Sequence, residues 1–254
     1  SMKSKKQLTK FKNSSSKSDN SIRLNKFLAN AGLGSRREAD NLIKMGLVQI
    51  NGKITTEMGY QVKPNDKVKY DGSRVKNSAL DYILINKPKG FIASSQKKKI
   101  NKPVQDLISS LIDAKVLPIG DMGRPLTGLL ILTNDEKIRI RINNSKKIHM
   151  VYHVKLEKNI SNEIMSKLKK DQLVFDKIQK INSISHIPGK SKKEVGVEVH
   201  SISPLILTKL FEASGSKVIQ MDRVVFGGLT KKDLPRGKWR RLTTKEIGFL
   251  KMMS

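Results

Sequence analysis

The 254-residue sequence predicts an α+β protein organised in two units. Three observations carry that expectation. Helix-spaced and strand-spaced apolar residues are mixed along the chain without the regular strand–helix–strand rhythm of a doubly wound sheet. A small block ending near Gly72 has its own helix stops, capping residues and hairpin turn, followed by a polar stretch. No uninterrupted apolar run approaches the ~18 residues of a membrane span, while the 37% hydrophobic content suffices for cores.

Residues 1–20 hold six lysines, one acid and the Ser14-Ser15-Ser16 run, with Phe11 nearly alone as an apolar anchor. They read as a disordered basic tail that either threads along RNA or only aids solubility. The first unit is expected over 21–72. Leu24, Phe27, Leu28 and Ala31 recur at helical spacing, and Gly32 and Gly34 end that helix. Ser35-Arg36-Arg37-Glu38 has the form of a capping box opening a second helix, with Ala39, Leu42 and Ile43 inside and Gly46 as the stop. Val48 and Ile50 run into Asn51-Gly52, a hairpin signal. Val62, Asp66-Lys67-Val68 and Tyr70-Asp71-Gly72 complete the unit, and residues 73–79 read as a linker.

The second unit is expected over 80–254. It begins with a strand at Tyr82 to Ile85 and a Lys87-Pro88-Lys89-Gly90 turn. Val104, Leu107, Ile108 and Leu111 have helical spacing. Leu129 to Thr133 reads as a buried strand closed by Asn134-Asp135. Further strands are expected at Val151 to Leu156, Val195 to Val199 and Val218 to Val225. Helices are expected near Glu163 to Lys170 and over Pro204 to Ala213.

The chain carries 51 Lys+Arg against 22 Asp+Glu, a formal charge of +29. Such a surplus repels itself unless a polyanion offsets it. An anionic membrane would call for basic residues concentrated on one amphipathic helix, but here they run from Lys3 to Lys251, so nucleic acid is the expected partner. Aromatic residues make up only 5% of the chain, which favours backbone contacts over base-stacking platforms. With no cysteine, disulfides, cysteine zinc sites and thiol catalysis are excluded, and a reducing cytoplasm is the expected location. The lysine-rich start shows no signal peptide.

Arg36 and Arg37 sit at the positive end of a helix, where acids are favoured and cations are not. Two guanidinium groups beside helix-end amides suit a phosphate. Arg23, Lys26, Lys44 and Lys53 lie in the same unit and extend the expected RNA-binding set.

Arg23-Leu24-Asn25-Lys26-Phe27-Leu28, Ser35-Arg36-Arg37-Glu38-Ala39, Gly46 to Gly52 and Asp66-Lys67-Val68 resemble the S4-like RNA-binding domain. The remainder resembles the catalytic domain of RsuA-type ribosomal RNA pseudouridine synthases. The residues that carry this are Ile85 to Gly90, Thr127 to Asp135, Tyr152-His153-Val154, Gly227-Gly228-Leu229 and Leu234-Pro235-Arg236-Gly237. The resemblance implies an S4-like module followed by a domain built on a mixed, largely antiparallel sheet flanked by helices. It also implies isomerisation of uridine in structured RNA with no metal and no organic cofactor.

Three departures fall where that chemistry would lie. The family segment Gly-Arg-Leu-Asp carries the reacting aspartate, which acts on a flipped nucleotide. Here the stretch is Gly120-Asp121-Met122-Gly123-Arg124, with Gly123 at the aspartate position. Asp121 could substitute only if the backbone re-routed. The family's arginine-rich helix start, which supplies a basic partner to the acid, corresponds to Ser201 through Thr208, which has no basic residue. Ser203 and Pro204 instead form an N-cap and N1 pair. Met150 stands where the family usually has lysine. Tyr152 reads equally as a base-stacking residue or a core tyrosine.

The expected function is therefore an RNA-binding, ribosome-associated pseudoenzyme. Gly123, Arg124, Thr127 and Tyr152 would frame a vestigial pocket, and ribosomal RNA or a ribosomal particle would be the partner of a monomer. The alternative is an active pseudouridine synthase using Asp121 or another acid. His149 and His153 are not placed as a helical metal pair. Gly189-Lys190-Ser191 lacks the earlier glycine of a phosphate loop. Trp239 reads as a domain-edge anchor, with base stacking as the other possibility.

Overall fold

The computed structural model describes residues 21–63, 65–75, 80–96, 99–108 and 115–254. The expected tail, residues 76–79 of the expected linker, and Leu111 lie outside the described residues. The chain divides into two compact units, Ser1–Ala79 and Leu80–Ser254.

In the first unit, α1 (Leu24–Asn30) and α2 (Arg36–Lys44) precede short antiparallel strands at Val48–Ile50, Lys53–Ile54, Val68–Tyr70 and Ser73–Arg74. Leu24, Phe27, Leu28, Ala39, Ile43, Val48, Ile50, Val62 and Val68 form its core. The hairpin at Asn51-Gly52 has φ of +52° and +83° at those two residues, the left-handed pair a tight two-residue turn needs. Asp66 locks this turn from outside: it accepts from Asn51 Nδ2 at 2.9 Å, Tyr60 Oη at 2.8 Å and Lys63 N–H at 2.9 Å. The expected linker is corrected at its start. Ser73 and Arg74 pair with Tyr70 and Lys69, and Val75 packs on the core, because Asp71-Gly72 is itself a left-handed turn (φ +49° and +79°) that returns the chain to the sheet.

The second unit is built on a nine-stranded sheet. Its main order is Ser183–His186, Glu194–His200, His149–Leu156, Val218–Phe226, Thr127–Thr133, Tyr82–Lys87 and Trp239–Arg241. Among the described residues, every pairing between these strands is antiparallel except one, where Val218–Phe226 meets Thr127–Thr133 in parallel over only Asp222↔Thr127 and Arg223↔Gly128. At this narrow junction Gly128 has φ +112°, and a Cβ there would lie 2.3 Å from the Arg223 carbonyl oxygen. Only glycine fits.

Helices α3 (Glu136–Asn144), α4 (Asn162–Leu168), α5 (Pro204–Ala213) and α6 (Thr244–Met253) contribute to the larger core around Tyr152, Val154, Leu207 and Phe211. A separate cluster joins Ile83, Ile85, Leu130 and Leu132 to Val104 and Met122. The expected α5 is found at its stated limits, with Ser203 Oγ accepting from Ile206 N–H and Pro204 at the first position. The helix expected from Val104 is a single 3₁₀ turn, Val104–Leu107.

Candidate RNA-binding surface and the synthase-type site

All six expected RNA contacts of the first unit, Arg23, Lys26, Arg36, Arg37, Lys44 and Lys53, are exposed. Among the described residues none of them forms an ion pair. Their charge is therefore not offset by protein carboxylates. One part of the expected phosphate site is corrected. Glu38 folds back so that Ser35 N–H donates to its carboxylate at 2.6 Å, while Ser35 Oγ accepts from Glu38 N–H at 3.1 Å. The capping box thus places a carboxylate of the protein over the end of α2. Of the expected phosphate site, the Arg36 and Arg37 side chains remain exposed.

In the second unit, the segment before strand Thr127–Thr133 is pinned from several sides. Met122 exchanges backbone hydrogen bonds with Ala93, both at 2.9 Å. Arg124 donates to the carbonyls of Gly90 at 3.0 Å and Asn101 at 2.7 Å. Arg124 is thus a loop clamp. Buried Lys87 donates to the carbonyls of Leu126 at 2.5 Å and Pro88 at 3.1 Å. Burial, with Arg124 and Arg236 nearby, pushes its pKa down to about 8.

Gly123 has an ordinary backbone conformation, and the atom nearest to where a Cβ would lie is Pro125 Cδ, at 3.7 Å. A Cβ would fit here sterically. Asp121 accepts from Ser95 N–H at 3.0 Å and Ser95 Oγ–H at 3.3 Å and is exposed, so it is engaged with the neighbouring loop. Thr208, in the segment matching the family's arginine-rich helix start, donates to Pro204 O at 2.8 Å within its own helix.

Tyr152 is fully buried and its hydroxyl donates to Ile202 O at 2.8 Å. Of the two readings of this residue, the conformation corresponds to a core tyrosine and not to a pocket wall. Burial pushes its phenol up, with Arg223 opposing that shift. Arg223, which no local sequence signal marks, is 3% exposed. Its Nε donates to Leu129 O at 2.9 Å, its Nη2 lies 3.7 Å from Met122 Sδ, and its guanidinium sits 4.8 Å from the Phe226 ring centroid. A basic group therefore does lie close to the segment carrying Gly123, delivered by a strand a hundred residues downstream.

The half-exposed side of strand His149–Leu156 is different in kind. Strand residues alternate between faces; Tyr152 and Arg223 pair on one, and His153 and Asp222 pair on the other. A cavity of about 410 Å³ opens there, lined by Lys89, Pro125, Thr127, His153, Lys155, Gln220, Met221, Asp222 and Arg236. Asp222 accepts from Thr127 Oγ1 and Arg236 Nη1, both at 2.8 Å, and from Lys231 Nζ. Burial raises its pKa, but these three donors outweigh burial and hold it down at about 2. Thr127 thus supports Asp222. His153 Nε2 lies 3.1 Å from Glu194 Oε1, and His149 Nε2 lies 3.1 Å from Glu198 Oε1. Trp239 packs against the smaller core cluster, as an edge anchor would.

Two domain families match the chain in this order: an S4 domain over residues 22–68 and an RNA pseudouridylate synthase over residues 81–210. The ribosomal large subunit pseudouridine synthase B of Bacillus subtilis is 32% identical over 236 residues, 91% of this chain and 96% of that protein. The dual-specificity RNA pseudouridine synthase RluF of Escherichia coli K12 is 31% identical, over 90% of this chain and 78% of that protein. The crystal structure of a pseudouridylate synthase shares the fold with a TM-score of 0.58 at 24% identity, covering 90% of this chain and 99% of that one. The chain belongs to the RNA pseudouridine synthase family. Among the described residues, no helix is long and apolar enough to cross a membrane.

Proposed function

We propose that this protein binds ribosomal RNA, on its own or within a ribosomal particle, and that it does not isomerise uridine. The observation that carries the reading is the lack of a carboxylate at position 123, where the backbone leaves room for a Cβ. Asp121 is engaged by Ser95, and Thr208 offers no charge. Tyr152 is sealed in the core. The RNA-binding part rests on the unpaired cations of the first unit and on the family, with phosphate contacts supplying affinity. The protein acts in the cytoplasm as a monomer, and the proposal calls for neither metal nor organic cofactor.

A second reading, an active rRNA pseudouridine synthase, is favoured by the relatives described above. It requires a carboxylate from elsewhere. Asp121 is one candidate. Asp222 is another, because it is ionised, bordered by basic groups and open to a cavity.

The two readings separate in one assay. Purified protein is incubated with unmodified ribosomal RNA and with RNA containing 5-fluorouridine. The proposal expects binding without pseudouridine and without a covalent adduct. Turnover that disappears in Asp121→Asn or Asp222→Asn would establish the second reading and name its carboxylate.

A further inference from the structure

We propose that the cavity beside strand His149–Leu156, on the sheet face opposite Tyr152, holds a single ribonucleotide of the bound RNA through its phosphate. This rests on the RNA-binding reading above. The donors for a phosphate are in place. Lys89 and Lys155 line the cavity and have no carboxylate partner among the described residues. Arg236 is oriented by its Nη1, which donates to Asn86 Oδ1 at 2.7 Å and Asp222 Oδ1 at 2.8 Å. Its Nε and Nη2 have no hydrogen-bond partner among the described residues, so the rest of the fork is available to a phosphate.

The acids nearby do not cancel this field. Asp222 is balanced by Arg236 and Lys231, and Glu194 is turned toward His153. The cavity's size, about 410 Å³, falls within the ~300–1,000 Å³ of pockets that enclose small ligands. An inorganic anion would leave most of it empty. The Gln220 amide on the wall can both donate to and accept from a base or ribose. The ligand class that uses the cations, the volume and the amide together is a nucleotide.

The test uses the full chain and a fluorescein-labelled ribosomal RNA hairpin with a single-stranded loop, followed by anisotropy over a range of salt. Lys89→Glu with Lys155→Glu is expected to weaken binding at least tenfold. The slope of log affinity against log salt should fall by up to about 2, since each lost phosphate contact removes ~0.9. Gln220→Trp fills the cavity without changing charge. It is expected to weaken binding with the salt slope nearly unchanged, and it covers the case in which the lysine variant fails to fold. Arg36→Glu with Arg37→Glu is run in parallel. Full affinity in both cavity variants, with loss in the arginine variant, overturns the cavity assignment and leaves the RNA-binding reading standing. Absence of RNA binding by the unaltered protein overturns both. Competition by inorganic phosphate as effective as by a mononucleotide shows a plain anion site and overturns the nucleotide assignment.

Discussion

On one face of strand His149–Leu156, Tyr152 is closed over, bonded to Ile202 O and flanked by buried Arg223. On the other, His153 and Lys155 look into a basic cavity beside an ionised Asp222. The first face lies toward the segment where the family's chemistry is expected, and its polar groups are satisfied internally. The second keeps donors and volume for a ligand. On the proposed reading a scaffold would keep RNA contact without the reaction, because phosphate binding needs only placed cations whereas nucleophilic chemistry needs one particular carboxylate.

The two faces meet at the parallel junction, so breaking that junction should have the largest effect. Gly128→Ala puts a Cβ 2.3 Å from the Arg223 carbonyl oxygen, in a left-handed conformation alanine disfavours. A loss of at least ~3 kcal/mol is expected, placing it among the exceptional single substitutions. Denaturant unfolding checks this, and a midpoint equal to that of the unaltered protein would show that the junction relaxes.

Next in size, Arg36→Glu with Arg37→Glu should reduce RNA affinity at least tenfold near physiological salt and flatten its salt dependence, as measured by anisotropy. Stability should change little, because neither arginine forms an ion pair.

Asp222→Asn removes the charge that Arg236 and Lys231 share, at an expected cost of ~1–3 kcal/mol, below the range for fully buried pairs because the group is partly exposed. The pH dependence gives the sign. The folded protein holds this carboxyl at about 2, below its ordinary 3.8, so its contribution is present above pH ~4 and lost as pH falls toward 2. Acid unfolding of the unaltered protein should steepen across that window, and the asparagine variant should lack this component. Parallel acid profiles would contradict the assignment.

The smallest effect is expected for Gly123→Asp. Its backbone is ordinary and the space open, so stability should move by no more than ~0.5 kcal/mol. Turnover should remain undetectable in that single variant. Thr208 brings no basic partner, and Arg223 is already held by Leu129 O and the Phe226 ring.

Local signals in the sequence suffice for the Ser35 capping box, the Asn51-Gly52 turn and the Ser203-Pro204 helix start, because each depends on residues within a few positions. α3 escapes such signals for a physical reason. Ile138, Ile140 and Ile142 alternate with basic residues as a strand would, but Asp135 caps the segment and Ile138 and Ile142, four apart, are its buried pair. α6 is also absent from the expected elements, although Thr243 and Glu246 form a capping box. The cavity is invisible in sequence because its bonds are long-range: Thr127 meets Asp222 ninety-five residues away, and Asn86 meets Arg236 across one hundred and fifty. Along the chain His153 stands out only within the Tyr152-His153-Val154 run and as a metal candidate, and Arg223 not at all, since nothing in its neighbourhood along the chain marks a buried arginine.

The central claim is that the RNA-binding scaffold persists without the reaction. It is tested most directly by quantifying pseudouridine in unmodified ribosomal RNA after incubation with excess purified protein, under conditions where binding is demonstrated in the same tube. The account predicts bound RNA whose uridines are unchanged. Pseudouridine formed at defined positions, in amounts that grow with time, would contradict it.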